Sequence, residues 1–308
     1  MAMTIYDISK KAGVSIATVS RVLNGSENVR PSTRKKVMDV IDKYDYTPNA
    51  FARGMGLHSL KTIGILCADS SDLFLAKAVY FLEQELQANG YESLLCCTGY
   101  NPDIKKNYLN LILSKKVDSI ILVGSHFIGF NEDENQYIKD VSTQVPIMLL
   151  NASFDHPNVY STLCDDYGTM FEAATEMIQS GITDILYLYD SKSYSGLKKL
   201  HGFCDAMKEY NIPGFEKLIH FYDGNIEHLN EVADFVARIA TKGTSFHGIM
   251  TSDDSLAIGS IKYAQKKGIR IPEELSVMGY NNSMLTNCCT PELTSVSLLY
   301  TSDAADDK

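Results

Sequence analysis

The chain has 308 residues, of which 45% are hydrophobic and 10% aromatic, and this composition is typical of a globular rather than a disordered protein. Its formal net charge of −10 at pH 7 argues by itself against a nucleic-acid-binding protein. The charge is unevenly distributed, however, because residues 1–60 carry a net charge of +4 and the other 248 residues carry −14. A small basic segment joined to a large acidic body indicates a local polyanion-binding unit attached to something else.

The chain lacks the sequence patterns of export, membrane insertion and metal binding. It has no apolar run of about 20 residues and no secretory signal pattern. Its seven cysteines include no Cys-x-x-Cys, and no Cys/His spacing suits zinc. We therefore expect a cytoplasmic protein with reduced thiols, no membrane partner, no metal and no cofactor.

Residues 4–24 predict two short helices joined by a tight turn. Thr4 is a good N-cap for the first helix, Gly13 ends it, and Ser15 caps the second. The second helix buries an apolar stripe and leaves Ile16, Ala17, Ser20 and Arg21 on its outer face. Proteins use this form to place a helix in the DNA major groove. The alternative is an ordinary helical hairpin whose exposed side is merely solvated.

A third helix is predicted over residues 29–46, with Pro31 suited to a first helical position. Its first two turns hold Arg34, Lys35 and Lys36, near where a phosphate could pass. The following stretch to residue 60 is short, contains two glycines and has no core pattern. That composition is typical of a linker that folds only in the presence of a partner.

From Thr62 onward the sequence alternates between apolar strands and amphipathic helices. Alternation of this kind predicts parallel sheets with helices on both faces. Nearly 240 residues are more than one such sheet usually takes, so we predict two α/β lobes with a ligand cleft at the strand carboxyl ends. The predicted strands are 62–67, 92–98, 119–123, 145–150, 185–189, 218–221, 248–251 and 275–279. The predicted helices are 75–89, 105–115, 169–179, 198–210, 229–240 and 256–266.

Several motifs resemble those of the LacI family of bacterial repressors, in order and spacing, from residue 4 to about residue 298. In the head they are Tyr6-Asp-Ile, Ala12-Gly-Val-Ser, Thr18-Val-Ser-Arg-Val-Leu-Asn24, Thr33-Arg34, Tyr46-Thr-Pro-Asn49 and Ala52-Arg53. In the body they are Thr62-Ile-Gly-Ile65, Gly202-Phe203, Asp253-Asp-Ser-Leu-Ala-Ile-Gly259, Ser276-Val-Met-Gly-Tyr280 and Pro291-Glu-Leu-Thr-Ser-Val296. The head motif is highly specific, whereas the body motifs are individually weak but collinear.

The resemblance implies an α/β protein with a three-helix helix-turn-helix headpiece and a two-lobed body like a periplasmic binding protein, with parallel sheets. We expect the headpiece at 1–46, a hinge at 47–60, an N-terminal lobe from 61–160 and 293–298, and a C-terminal lobe at 161–292. The expected function is that of a repressor, a homodimer on near-palindromic operator DNA, controlled by a small-molecule effector that is a sugar. The alternatives are a purine-type effector, or a solute-binding protein with no regulatory role.

An enzyme is not expected from this sequence. No Gly-x-Gly-x-x-Gly follows a strand, and neither a P-loop nor a His-Glu-x-x-His motif occurs. Asp253 and Asp254 could pass for catalytic acids, but two adjacent residues at a strand end point apart.

The resemblance also implies which residues contact DNA. Ile16, Ala17 and Arg21 fall where the family reads bases, and Met55 replaces the usual leucine wedge of the minor-groove hinge. Gly54 is a departure from the family pattern that disfavours the hinge helix. Residues suited to phosphate are Thr4, Tyr6, Ser15, Thr18, Ser20, Asn24 and Arg34. For Thr18 and Ser20, helix capping or packing remains the alternative.

Family positions that face the effector map onto aromatic and bidentate polar side chains, which suit sugar rings. These positions are Phe74, Ser125, Asp165, Lys199, Tyr222, Asp253 and Asn281. Phe221 could equally be the inward aromatic in place of Tyr222. Lys199 stands where arginine is usual, and Asp253 with Asn281 reverses a frequent Asn and Asp pair, as if a carboxylate had moved across the cleft.

The last residues, from Leu298 to Lys308, show no apolar periodicity, whereas family bodies continue with a helix and further strands. We expect a truncated chain with a non-family tail at 299–308; a natural short variant is the alternative. Truncation would expose apolar surface on the first lobe and favour aggregation.

Overall fold

The computed structural model describes residues 3–23, 25–46, 59–241 and 243–297. Asn24, the linker residues 47–58 with the predicted wedge Met55, and the tail from residue 298 onward lie outside the described residues. Within the described part of the chain, no helix is long and apolar enough to cross a membrane.

Three helices form the head, as predicted: α1 (Ile5–Ala12), α2 (Ile16–Leu23) and α3 (Pro31–Lys43). Thr4 caps α1 in a reciprocal capping box with Asp7, and Gly13 ends the helix in the left-handed conformation at φ 66°. One side of each helix is apolar and packs into a shared core that includes Ile8, Val19, Val22, Val37, Ile41 and Tyr46.

The first lobe contains a five-stranded parallel sheet in the order β2-β1-β3-β4-β5. Helices cover both faces, as continuous apolar strands require. The strands are β1 (Thr62–Cys67), β2 (Glu92–Cys97), β3 (Ser119–Val123), β4 (Ile147–Leu150) and β5 (Val159–Thr162). The helices are α4 (Leu73–Ala88), α5 (Pro102–Ser114) and α6 (Gln136–Ser142).

The second lobe repeats this architecture with a parallel sheet in the order β10-β9-β8-β6-β7. One face packs against α7 and α8, and the other against α9 and α10. The strands are β6 (Ile185–Tyr189), β7 (Ile219–Phe221), β8 (Gly248–Thr251), β9 (Ser276–Tyr280) and β10 (Thr294–Val296). The helices are α7 (Asp166–Gln179), α8 (Tyr194–Glu209), α9 (Leu229–Thr241) and α10 (Asp254–Lys267).

The placement of residues 293–298 in the N-terminal lobe was wrong for the part that the structure describes. β10 pairs in parallel with β9, with Thr294 opposite Met278 and Val296 opposite Tyr280. Leu293 is buried in the core of the second lobe. These residues therefore extend the second sheet.

Three further elements were not predicted as such. α6 has only seven residues, too few to show a clear helical period. β5 is an edge strand whose residues are mostly exposed, so it lacks the apolar run of a central strand. β10 is an edge strand of only three residues.

Candidate DNA-binding surface and interlobe cluster

The exposed side of α2 holds the three predicted base-reading residues of the headpiece. Ile16 is 39% exposed, and Ala17 and Arg21 are also exposed. Val19 and Val22 are buried on the opposite side of the same helix. The structure therefore presents one cationic and two apolar side chains on a single accessible helix face.

Several residues predicted to contact phosphate already make contacts within the head. The Thr4 hydroxyl donates to Asp7 Oδ2 at 2.6 Å, and the Ser15 and Thr18 hydroxyls lie 2.9 Å apart. The Thr18 amide also donates to Ser15 Oγ, which confirms Ser15 as the cap of α2. Arg34 Nη2 donates to the Ser26 carbonyl at 2.6 Å and ties α3 to the preceding loop. These contacts give all four residues local structural roles, and their contact with phosphate stays a prediction.

The other two described residues of that set differ in exposure. Tyr6 is 68% exposed at the start of α1, whereas Ser20 is half-buried on α2. The tyrosine is therefore accessible to a partner.

Serine hydroxyls join the two lobes where strands of both sheets end. Ser125 follows β3 in the first lobe, and its hydroxyl donates to Ser193 Oγ of the second lobe at 2.8 Å. Ser191 also donates to Ser193 Oγ, at 2.9 Å, and lies 3.5 Å from His126 Nε2. We call the polar side chains around this junction the interlobe cluster: Tyr100, Ser125, His126, Asp190, Ser191, Ser193, Lys199, Ser252, Asp253 and Asn281.

His126 is a neutral imidazole within the interlobe cluster. Burial, followed by the nearby Lys105 ammonium, lowers the pKa of His126 to about 4. Lys105 Nζ donates to the His126 carbonyl at 2.6 Å, and the Tyr100 ring meets the imidazole edge to face at 4.8 Å between ring centroids. The histidine is therefore an uncharged aromatic surface and hydrogen-bonding group near pH 7.

Lys199 lies at the second-lobe side of the interlobe cluster. Its Nζ donates to the Ser252 carbonyl at 3.0 Å and sits 3.9 Å from the centre of the Tyr280 ring. The Ser252 hydroxyl donates to Asp190 Oδ1 at 2.8 Å. The compact ammonium of Lys199 thus fits between a carbonyl and an aromatic face.

Asp253 and Asn281 form a hydrogen-bonded pair, with Asn281 Nδ2 donating to Asp253 Oδ2 at 2.9 Å. Both residues belong to the second lobe, so the expectation that a carboxylate had moved across the cleft was wrong. β8 and β9 are neighbours in the sheet, and the side chains that follow their ends meet. Relative to the family pattern, Asp253 and Asn281 have therefore exchanged places within one hydrogen-bonded pair.

Carboxylates dominate the charge around the interlobe cluster. Burial, followed by the nearby Asp190 carboxylate, raises the pKa of Asp253 to about 6. Burial also raises the pKa of Asp72 at the start of α4, and the charges of Asp69 and Asp190 contribute in the same direction. Asp72 and Asp190 belong to different lobes, so negative charge faces the junction from both sides.

The structure brings together four of the predicted effector-binding residues: Ser125, Lys199, Asp253 and Asn281. Phe74 is half-buried in the first turn of α4, beside Asp72, and packs against the core of the first lobe. Asp165 is exposed and caps α7, where its side chain accepts from the Gly168 amide at 2.9 Å.

Tyr222 lies outside the interlobe cluster, so the structure gives no support to its predicted contact with the effector. Its side chain is buried in the second-lobe core against Phe235, and its hydroxyl donates to the Asn225 carbonyl. Phe221, the alternative, is exposed at the end of β7 beside Tyr189 and under the Lys192 ammonium. Phe221 is therefore the aromatic residue that remains accessible at this strand end.

Other cluster members were missed from the sequence although a positional signal was present. Asp190 follows β6 directly, and Ser252 follows β8 directly. Tyr100 and His126 each come three residues after a strand, β2 and β3 respectively. All four are polar or aromatic residues within a few positions of a predicted strand end, where ligands bind in such sheets.

Both parts of the chain match families of known proteins. Residues 4–49 match bacterial regulatory proteins of the lacI family, and residues 60–304 match the periplasmic binding proteins and sugar binding domain of the LacI family. This chain belongs to the LacI family. An HTH-type transcriptional regulator of Lachnoclostridium phytofermentans is 51% identical over 294 residues, which are 96% of this chain and 87% of the relative. Catabolite control protein A of Priestia megaterium is 33% identical over 303 residues with the same coverage.

Solved structures share the fold of this LacI-family chain. The lac repressor dimer bound to operator and the anti-inducer ONPF aligns with a TM-score of 0.83 at 21% identity, covering 96% of this chain and 87% of that one. A complex of the transcriptional regulator CelR with cellobiose aligns at 0.66 and 21% identity, covering 95% and 87%. The LacI-family chain is a DNA-binding transcriptional regulator with an effector-binding body, and its relatives are regulators rather than enzymes.

The pKa of Asp253 leads to a prediction about stability. A carboxyl group whose pKa is about 6 when folded and 3.8 when unfolded binds more protons in the folded state between these values, so its contribution to stability falls as pH rises. We expect the difference in free energy of unfolding between wild type and Asp253→Asn to fall by on the order of 2 kcal/mol from pH 4.5 to 7.5. Urea unfolding across this range measures it.

Asp165→Asn serves as the control, because Asp165 and Asp253 both cap helices but Asp165 is exposed. A difference in the free energy of unfolding between wild type and Asp253→Asn that stays constant with pH would contradict a raised pKa of Asp253.

Proposed function

We propose that this regulator binds a near-palindromic operator as a homodimer, and that a neutral sugar bound at the interlobe cluster controls this binding. The proposal rests on the hydrogen-bonding groups that both lobes present at one junction. There the Ser125 hydroxyl donates a hydrogen bond to the Ser193 hydroxyl. A ligand held there touches both lobes and can favour one arrangement of them over another. Its place of action is the cytoplasm, where operator DNA lies.

In this proposal α2 enters the major groove. The guanidinium of Arg21 can donate two hydrogen bonds to one guanine, whereas Ile16 and Ala17 offer apolar contacts, for example to thymine methyl groups. Met55, outside the described residues, acts in the minor groove. A second copy of the chain presents the same residues to the other half-site, because two-fold protein symmetry matches a near-palindrome. The proposed phosphate contacts are Thr4, Tyr6, Ser15, Thr18, Ser20, Asn24 and Arg34.

The charges at the interlobe cluster favour a neutral, hydroxyl-rich ligand. Asp190 and Asp253 offer carboxylate oxygens that accept from hydroxyl groups, and Asn281 and the serines can donate or accept. The ammonium groups of Lys105 and Lys199 already donate to backbone carbonyls. A phosphorylated or carboxylated ligand would be repelled by the carboxylates of Asp72, Asp190 and Asp253. A structural neighbour was solved with the disaccharide cellobiose.

The first prediction from this proposal concerns the ligand class. In a thermal-shift assay we expect a neutral sugar from a panel of mono- and disaccharides that includes cellobiose to raise the melting temperature. Glucose 6-phosphate should have no effect, since its phosphate dianion is repelled. Purines such as hypoxanthine form the third arm of the assay.

Loss of the sugar response in Asp253→Ala, with the response kept in Tyr222→Phe, would localise binding to the interlobe cluster. A melting temperature raised only by purines or by charged metabolites would contradict the proposal.

The second prediction concerns base reading by Arg21. After selection of bound duplexes from a random pool, Arg21→Ala should lose discrimination at one base pair in each half-site, worth about 1–3 kcal/mol. Lys35→Ala is the matched control, because Lys35 is an exposed cation on α3. That change should weaken all sequences about equally and reduce the salt slope by roughly one. Identical selected sequences for wild type and Arg21→Ala would refute the role of Arg21.

A further inference from the structure

The carboxylate of Asp118 holds the end of the predicted linker against the first lobe. Ser59 and Leu60 are the last residues of that linker, and the structure describes both. Asp118 Oδ2 accepts from the Ser59 hydroxyl and the Thr62 amide, both at 3.0 Å, and Oδ1 accepts from the Leu60 amide at 3.1 Å. One side chain directly before β3 thus binds three donors from the four residues that lead into β1.

The backbone at this junction makes a defined turn. Lys61 adopts a left-handed conformation at φ 49°, which is unusual for a residue with a side chain. Its amide donates to Ser59 Oγ at 3.0 Å, and its carbonyl accepts from the Glu92 amide at 2.8 Å. The Asp118 amide donates to the Thr62 carbonyl at 2.8 Å. The point at which the linker meets the body is therefore fixed between the beginnings of β1, β2 and β3.

β1 connects the end of the linker with the interlobe cluster. It is buried from Ile63 to Cys67, and the segment that follows it carries Asp69 and Asp72 toward the interlobe side. A single rigid strand therefore has the linker at its amino end and the junction between the lobes at its carboxyl end.

From this arrangement we infer that Asp118 is a positioning residue for operator binding. It fixes where each linker leaves the body, so that the two heads of a dimer reach two half-sites at the same time. The inference rests on the proposed two-half-site function. Two linked heads bind DNA more tightly than one because the second binds at a high effective concentration, and this advantage depends on where the links are anchored. Asp118 itself has no contact with DNA in this role.

The chain offers a matched control in the second lobe. Asp184 directly precedes β6, as Asp118 directly precedes β3, and it also accepts from the residue before a neighbouring strand. The His247 amide donates to Asp184 Oδ1 at 3.3 Å, and His247 Nδ1 lies 2.6 Å from Oδ2. Asp184 therefore fixes a comparable turn that leads to no linker.

The experiment uses a duplex with two half-sites recovered by selection from a random pool, and the same duplex with one half-site scrambled. Dissociation constants are measured by fluorescence anisotropy for wild type, Asp118→Asn, Asp184→Asn and Ser59→Ala, and melting temperatures are recorded for all four. For Asp118→Asn we expect affinity for the full site to fall about tenfold, and affinity for the single half-site to change less than about twofold. Asp184→Asn should leave both constants within about twofold of wild type, and Ser59→Ala should show a smaller full-site loss.

The outcomes separate this inference from the proposed function. If wild type binds the two duplexes equally, the two-half-site function is wrong and the inference fails with it. If wild type prefers the full site and Asp118→Asn keeps the whole preference, only the inference is overturned. Equal full-site losses in Asp118→Asn and Asp184→Asn would show a general effect of stability and also overturn it. If Asp118→Asn fails to fold, Ser59→Ala decides, and an unchanged ratio of full-site to half-site affinity contradicts the role.

Discussion

The parallel arrangement of the strands determines where everything else in the body lies. In each sheet, all neighbouring strands that the structure describes run in the same direction, so every strand begins at one edge and ends at the other. The parallel pairing therefore places linker attachment and the interlobe cluster at opposite edges of the sheet. In the first lobe the linker enters at the amino edge, where Asp118 holds it, and the polar side chains of the interlobe cluster follow the carboxyl edge.

Polar side chains contact one another between the lobes, which would suit the rearrangement of the lobes that effector control requires. A ligand or water can replace the Ser125–Ser193 hydrogen bond and the Ser191–His126 contact with little loss of free energy. Carboxylates face the junction from both lobes and repel one another. A ligand that donates hydrogen bonds to these oxygens would oppose that repulsion, and it could shift the populations of the lobe arrangements only as far as it binds them differently.

The sequence alone predicted the body well where one local signal was sufficient. β1, β3, β6 and β8 have the predicted bounds, because each is a mostly buried strand rich in apolar residues. The family motifs also identified four members of the interlobe cluster. The failures depend on information that is not local. Whether Phe221 or Tyr222 stays accessible depends on where β7 ends, and the pairing of Asp253 with Asn281 depends on β8 lying beside β9. Which sheet β10 joins likewise depends on its partner strand, β9, rather than on its own three residues.

Effector control requires that a ligand between the lobes and DNA at the head are coupled through one chain. Calorimetric titration of the sugar that raises the melting temperature, with and without a saturating selected duplex, measures this coupling. Coupling must be reciprocal, so the duplex should change the dissociation constant of the sugar by the same factor as the sugar changes that of the duplex, at least about fivefold. Sugar binding that is the same with and without DNA would show that the two sites are not coupled.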